Sequence, residues 1–288
     1  MMLFLTIAVA ALAALLFTAG GTAACAQEEL RLPIVMYHDL TSNPLEQDDY
    51  TLSLEQLEQD LIAFEEHGFT PVSLSSVLRY VLDGGALPEK PVLLVFDDGY
   101  HSFFTGALPL LLEHQVPEVV SVIGREAEEA SHETCASFMS WTELKQAVNC
   151  GLVELISHSA DLHVYCRRSG LARLSCESEA EYERVVLEDL QRMADLCEAA
   201  GVELQPAFAY PYGSLEPLAE PLLKRQGMLA TLTSEEHVNR LTRDAECLFL
   251  MGRLNRSGFL TTEEVLRWMM RATAAWSSTC RPAVGRAR

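Results

Sequence analysis

The chain has 288 residues, of which 49% are hydrophobic and 22% are charged, and its formal net charge is −20 at pH 7. This length and balance predict one large globular domain or two small ones with a sizeable core, and they argue against wholesale disorder. The strong negative charge disfavours nucleic acids and anionic membranes as partners bound through basic patches.

The N-terminal segment, residues 1–26, predicts export. Residues 1–24 carry no charged side chain, and an apolar stretch over 3–17 is followed by small residues, which is typical of a secretory signal. Cleavage after Ala26 leaves residues 27–288 as the mature domain. A lipoprotein anchor on Cys25 and an uncleaved membrane anchor are the alternatives. We therefore expect an extracellular or cell-surface protein that contacts a membrane only through this segment.

The cysteines predict no structural zinc cluster, because the chain has eight of them but no CxxC pair. Cys166 and Cys176 flank a polar loop, and in an oxidising compartment they could form a disulfide. The sequence leaves that pairing open.

Short apolar runs alternate with amphipathic stretches along the rest of the chain, which is typical of strand–helix units around a largely parallel sheet. The first half predicts a strand over 32–37, a helix from the Ser53 cap to Gly68, a strand over 70–73, a helix over 76–82, a strand over 91–96, a helix near 103–114, a strand near 119–123 and a helix from the Ser140 cap to Asn149. The second half predicts a strand over 152–156, a helix over 179–200, a strand over 206–210, a further helix, strands near 229–233 and 247–251, and a final helix near 262–275.

Polar side chains directly follow two of the most apolar predicted strands. Asp97 and Asp98 follow the strand over 91–96, and His158 and His163 follow the strand over 152–156. Because the carboxyl ends of parallel strands meet at one rim, these groups are expected to lie together. The acid pair alone would fit helix capping equally well. Two imidazoles and one carboxylate, however, supply three ligands and leave positions open, as in a catalytic metal site.

Four segments resemble, in the right order, motifs of the polysaccharide deacetylases of the NodB-homology type (carbohydrate esterase family 4). Residues 95–100 (VFDDGY) are similar to the first motif, residues 158–163 (HSADLH) to the second, and residues 208–213 (FAYPYG) to the third. Residues 35–38 (VMYH) resemble a branch of exported bacterial members. The resemblance implies an α/β fold, a distorted (β/α) barrel with seven strands.

The resemblance also implies a role for each matching residue. Asp97 would be the general base, and Asp98, His158 and His163 would hold a divalent metal ion. Zinc is expected first, with cobalt, nickel or manganese as alternatives. The backbone N–H of Tyr212 would stabilise the oxyanion of the reaction.

Three features depart from the family pattern. The histidines of the second motif are most commonly four residues apart in the family, but His158 and His163 are five apart. The third motif usually carries an arginine that orients the base, but the chain has Ala209 there, and Arg253 is the candidate substitute. A surface cation is an equally good interpretation of Arg253. The family's late histidine, usually the general acid, has no clear counterpart, and His38 is the candidate in its place.

The expected function is that of a metal-dependent hydrolase that removes N-acetyl groups from a cell-surface or extracellular polysaccharide. Two alternatives stay open at this point: a catalytically impaired carbohydrate-binding protein on the same scaffold, and an O-acetyl esterase that uses the same metal site. The sequence does not identify the polymer.

Overall fold

The computed structural model describes residues 30–133, 136–165 and 168–274. The predicted export segment and Cys166 lie outside these ranges. Within them, no helix combines the length and the hydropathy needed to cross a lipid bilayer.

The described residues form twelve strands and eight α-helices. The strands are β1 (Leu30–Leu32), β2 (Ile34–Tyr37), β3 (Asp39–Thr41), β4 (Thr51–Ser53), β5 (Thr70–Pro71), β6 (Pro91–Phe96), β7 (Glu118–Val122), β8 (Val153–Ser157), β9 (Ala207–Ala209), β10 (Ala230–Leu232), β11 (Asn239–Leu241) and β12 (Leu254–Asn255). The helices are α1 (Leu54–Glu66), α2 (Leu74–Asp83), α3 (Leu108–His114), α4 (Gly124–Ala130), α5 (Trp141–Asn149), α6 (Glu179–Ala200), α7 (Ala219–Arg225) and α8 (Thr262–Ala274).

Seven parallel strands follow one another across a strongly curled sheet in the order β10-β9-β8-β7-β6-β2-β12, and the short β5 pairs with β6 beside them. Alternate residues of β6 enter two different cores. Leu94 and Phe96 pack under the surrounding helices, whereas Leu93 and Val95 meet residues of other strands, such as Leu232, on the concave face. Burial on both faces explains the continuous apolar run of β6. The predicted seven-stranded α/β barrel type is confirmed.

The segment 251–255 joins the two edges of the sheet. Met251 donates its N–H to the Thr231 carbonyl over 2.8 Å at the β10 edge, and β12 pairs in parallel with β2 at the opposite edge. We call this junction between the two edges of the curled sheet the seam. Arg253 lies in the seam, at the rim formed by the carboxyl ends of the strands.

Helix boundaries follow the capping chemistry closely. Ser53, Ser140 and Ser178 each accept a hydrogen bond from the backbone of their helix, and a glutamine or glutamate in the first turn bonds back to the serine N–H. These reciprocal capping boxes start α1, α5 and α6 where the sequence predicts them. Ser73 caps α2, which begins two residues earlier than expected.

One expectation about secondary structure is wrong, and several short elements were not expected, β11 and β12 among them. The strand expected near 247–251 is instead a 3₁₀ turn over Ala245–Leu248, followed by Leu250 with a left-handed φ of 55°. Helix α4 was not expected, because no side chain caps its N-terminus. The short strands β3 and β4 were also not expected, since three residues give too little alternation to recognise.

Candidate metal and active site

One cavity of about 680 Å³ opens at the carboxyl ends of the parallel strands. Every residue that the sequence predicts for the site lines this cavity. The reason is topological: β2, β6, β8 and β9 run parallel, so the segments that follow them meet at one rim. Arg253 reaches the rim differently. It directly precedes β12 and does not follow one of these strands.

Asp98 has an unusual backbone and a buried carboxylate. Its φ of 70° lies in the left-handed region that non-glycine residues rarely occupy, and it turns the chain sharply after β6. Oδ1 of Asp98 is buried and has no hydrogen-bond partner among the described residues. This oxygen instead lies 3.4 Å from Nε2 of His158 and 3.4 Å from Nε2 of His163. Three potential ligand atoms thus converge within 4.8 Å of one another.

Both histidines are oriented by a hydrogen bond at Nδ1. The Nδ1–H of His158 donates to the carbonyl of Ala209 over 2.9 Å, which fixes the tautomer that leaves a lone pair on Nε2. Nδ1 of His163 lies 3.1 Å from the Tyr212 hydroxyl, which can accept a hydrogen bond in the same tautomer. Each Nε2 therefore faces Asp98 as an acceptor.

The electrostatics of these three side chains fit a cation. Burial lowers the pKa of His158, and burial together with His158 lowers the pKa of His163 to about 4, so both rings are neutral at neutral pH. Burial and the charge of Asp97 raise the pKa of Asp98 to about 7 in the absence of an ion. Without an ion, Asp98 thus holds a proton over part of the neutral range, whereas a divalent cation bound by the two imidazoles and the carboxylate would keep Asp98 ionised. The residues present therefore fit a metal ion.

Asp97 and Arg253 form a buried ion pair beside the three candidate ligands. Arg253 Nη1 donates to Asp97 Oδ1 over 2.7 Å, and Arg253 Nε donates to the Thr233 carbonyl over 2.8 Å. Both charged side chains are almost completely buried. Burial acts to raise the pKa of Asp97, but the charge and the hydrogen bond of Arg253 oppose it, and that pKa is lowered to about 2. Asp97 is thus ionised, with Oδ2 on the side of His158.

The position of the missing family arginine has a different use here. Ala209 lies buried in β9 and supplies only its carbonyl, which orients His158. The guanidinium next to Asp97 belongs to Arg253, which lies outside the third motif and in the seam of the sheet. The structure therefore brings Arg253 to the acid pair and does not leave it on the surface.

His38 and Tyr212 lie on two walls of the same cavity. His38 follows β2, packs edge-on against Tyr50 with ring centroids 4.9 Å apart, and has a pKa lowered by burial to about 4. Tyr212 lies in the turn after β9 with a φ of 57°. Its ring is 44% exposed and stacks at a tilt on His163 with centroids 4.3 Å apart.

Several cavity residues were not expected from the sequence. Asp48 and Tyr50 come from the connection between β3 and β4, and Tyr165 comes from the insert after His163. Tyr100, by contrast, belongs to the first motif, which predicts it at this rim, and it lines the cavity. Burial and the Asp98 carboxylate raise the pKa of Tyr100 above its usual range. The others belong to loops whose course depends on packing that no local pattern indicates.

A family model for polysaccharide deacetylases matches residues 84–231, just over half of the chain. The poly-β-1,6-N-acetyl-D-glucosamine N-deacetylase of Escherichia coli (strain K12) is 27% identical over 226 residues. That alignment covers 69% of this chain but only 34% of the E. coli protein. The chain thus spans about a third of that relative.

Two solved structures share the fold over most of this chain. A de-N-acetylase from Aggregatibacter actinomycetemcomitans superposes with a TM-score of 0.72 at 21% identity, covering 83% of this chain and 99% of that structure. IcaB from Ammonifex degensii superposes with a TM-score of 0.67 at 25% identity, covering 84% of this chain and 98% of that one.

Proposed function

The chain belongs to the polysaccharide deacetylase family, and we propose on that premise that it hydrolyses the acetamide of N-acetylated sugars in an extracellular or cell-surface polysaccharide. The first candidate substrate is poly-β-1,6-N-acetylglucosamine, because the E. coli relative is named for acting on it. One observation carries the proposal: two neutral imidazole nitrogens and a buried carboxylate oxygen converge beside an ionised aspartate.

The metal ligands in this proposal are Asp98, His158 and His163. Their two nitrogens and one oxygen suit zinc, with cobalt, nickel or manganese as alternatives. When bound, such an ion supplies Lewis-acid chemistry, which polarises an amide carbonyl and makes water more acidic. Three protein ligands leave room for water and substrate, as hydrolysis requires.

Asp97 is the proposed general base. Its Oδ1 is held by Arg253, so Oδ2 is the oxygen available to take a proton from the attacking water. The same proton can then pass to the leaving amine. His38 is the second candidate for that donation, because its ring faces the same cavity, but its low pKa means that it must first be protonated.

Tyr212 has two proposed tasks. Its backbone N–H donates to the oxyanion that develops on the acetyl oxygen, a contribution that commonly changes rates by about 10²–10³-fold. Its hydroxyl, 3.1 Å from His163 Nδ1, helps to orient that ring.

The contact between Arg253 and Asp97 bears on the alternative of an impaired carbohydrate-binding protein. The absence of the usual arginine was a reason to consider that alternative, but a guanidinium is present at the base from another part of the chain. A buried charged cluster is costly to keep where it has no chemical use. Catalysis is therefore the better-supported function.

Export belongs to the proposal as well. Residues 1–26 would direct the domain across the membrane. They would then be removed by cleavage, or they would stay as a membrane anchor. A substrate that is a surface polymer requires this location.

The substrate is tested by measuring acetate release from matched oligomers. We expect the zinc-loaded protein to release acetate from β-1,6-linked N-acetylglucosamine oligomers at least about tenfold faster than from β-1,4-linked ones. Acetate released only from O-acetylated xylan oligomers would identify an esterase. Oligomer binding without release of acetate from any of these compounds would support the binding protein.

A further inference from the structure

Helix α6 buries one acidic residue in the middle of its apolar stripe. Tyr182, Val186, Met193 and Cys197 face the core at helical spacing, and Asp189 lies among them with 6% of its surface exposed. An unpaired carboxylate at such a position costs free energy unless several donors satisfy it. Its donors are therefore informative about its use.

Within the described residues, the side-chain hydrogen bonds of Asp189 all come from the loop between the two candidate ligand histidines. Its Oδ2 accepts from the Ala160 N–H at 3.0 Å, and its Oδ1 accepts from the N–H groups of Asp161 at 2.7 Å and Leu162 at 3.1 Å. Burial raises the pKa of Asp189, and these backbone donors oppose that shift by stabilising the anion. One side chain thus binds three successive backbone amides immediately before His163.

The opposite side of the same loop is fixed by helix α4. The N–H groups of Gly124 and Arg125 donate to the carbonyls of Ser159 and Ala160 over 3.0 and 2.9 Å. Ser159 has a left-handed φ of 71°, so the chain turns sharply there and depends on these bonds to hold it. The loop is therefore held between α4 and α6.

The two histidines depend on this arrangement to different degrees. His158 directly follows β8, and its ring is oriented by the Ala209 carbonyl. His163 lies five residues beyond, and among the described residues its ring hydrogen-bonds to the Tyr212 hydroxyl alone. The backbone position of His163 is thus set chiefly by the loop that Asp189 holds.

We propose that Asp189 is a positioning residue for the metal site, which holds the loop over 160–162 so that His163 Nε2 meets Asp98 and His158. This inference rests on the proposed function, because it takes these three side chains as metal ligands. It assigns the role to a residue outside the family motifs, on a helix that follows the long insert.

The test is a thermodynamic cycle on zinc affinity, measured by competition with a chromophoric chelator and without substrate. Asp189→Asn replaces one acceptor oxygen with an amide donor, and we expect it to weaken zinc binding about 10–100-fold, the usual effect of losing an outer-shell partner. In a His163→Ala background the same change should weaken binding by less than roughly threefold, because the ligand that Asp189 positions is gone. The matched control is Asp195→Asn, because Asp195 is an exposed carboxylate on the same helix that accepts a hydrogen bond from Gln191.

A purely structural role gives a different result. It would lower the folded fraction but leave the zinc Kd of the folded protein unchanged, or it would weaken binding equally in both backgrounds. Either result would overturn the inference. If the wild-type protein does not bind zinc, the metal site itself and with it the proposed function fail, which is distinguishable from a failure confined to Asp189.

Hydrogen exchange on the metal-free wild-type protein provides a test that does not depend on the folding of a variant. The amides of residues 160–162 should exchange at least about 100-fold more slowly than in an unstructured peptide, because all three are bound to Asp189. Exchange at the rate of an unstructured peptide would show that the carboxylate does not hold the loop.

Discussion

Two buried arginines each bind an aspartate in this structure, but only one of the pairs faces the cavity. Arg253 donates to Asp97 at the rim, whereas Arg256 donates to Asp60 over 2.6 Å and 3.1 Å beneath helix α8. Both guanidinium groups are about 1% exposed. The two pairs are alike in burial and chemistry and differ in location. Substitutions in both can therefore distinguish an effect on the position of Asp97, the proposed base, from a general effect on stability.

Replacing Arg253 with lysine should lower kcat about 10–100-fold. Lysine lacks the planar guanidinium that bonds to the Thr233 carbonyl and to Asp97 through different nitrogens, so the proposed base would shift. Zinc affinity should stay within roughly threefold, since Arg253 is not a ligand. The control Arg256→Lys should reduce the free energy of unfolding but leave kcat nearly unchanged. Equal losses of kcat in the two variants would contradict a role for Arg253 at the base.

Individual residues of this chain differ in how far the local sequence pattern predicts their position. Asp97, Asp98 and His158 follow directly after apolar strands, so local pattern alone indicates their position. Asp189 is different: an acidic residue on an amphipathic helix is expected to face solvent. Only the neighbouring loop amides explain why it is buried, and no spacing in the sequence reports them.

At the scale of the secondary-structure elements, strand β7 begins with a buried acid remote from the candidate ligands. Glu118 is 0% exposed, and neither of its carboxyl oxygens makes a hydrogen bond of good geometry within the described residues. Burial raises the pKa of Glu118 well above its usual range. The folded protein therefore keeps Glu118 protonated at a pH where the unfolded chain ionises it.

This difference predicts a pH-dependent loss of stability. The contribution of Glu118 is most favourable below the unfolded pKa, near 4.5. It then declines as the pH rises toward the higher folded value, by about 1.4 kcal/mol per pH unit. The Glu118→Gln variant has no such decline. Its free energy of unfolding, relative to that of the wild type, should therefore increase between about pH 5 and pH 7. Urea denaturation at several pH values measures it, and a constant difference would show that Glu118 does not titrate as inferred.

Elements with strong local signals were predictable and elements without them were not. β6 is apolar throughout, and α6 starts with a reciprocal capping box, so the sequence predicts both with the bounds that the structure has. α4 lacks a side-chain cap, and its first residue is a glycine packed against Ala160 and two side chains of α6. Tertiary packing, which the local sequence does not encode, forms that helix.

At the scale of the whole molecule, parallel topology assembles most of the candidate site. The segments after β2, β6, β8 and β9 meet at one rim because those strands run in the same direction. Arg253 joins them by a different route, since residues 251–255 link β10 to β2 across the open side of the curl. The sequence indicates Arg253 as a candidate but does not distinguish this place from the surface, because the position of Arg253 depends on how the sheet closes.

The proposed deacetylation requires a metal ion held by Asp98, His158 and His163. The most direct measurement is acetate release from β-1,6-linked N-acetylglucosamine oligomers by the full chain, metal-stripped and zinc-reloaded, with His158→Ala in parallel. We predict that acetate appears only with the wild-type protein and zinc. Equal release by the stripped protein or by His158→Ala would contradict the claim.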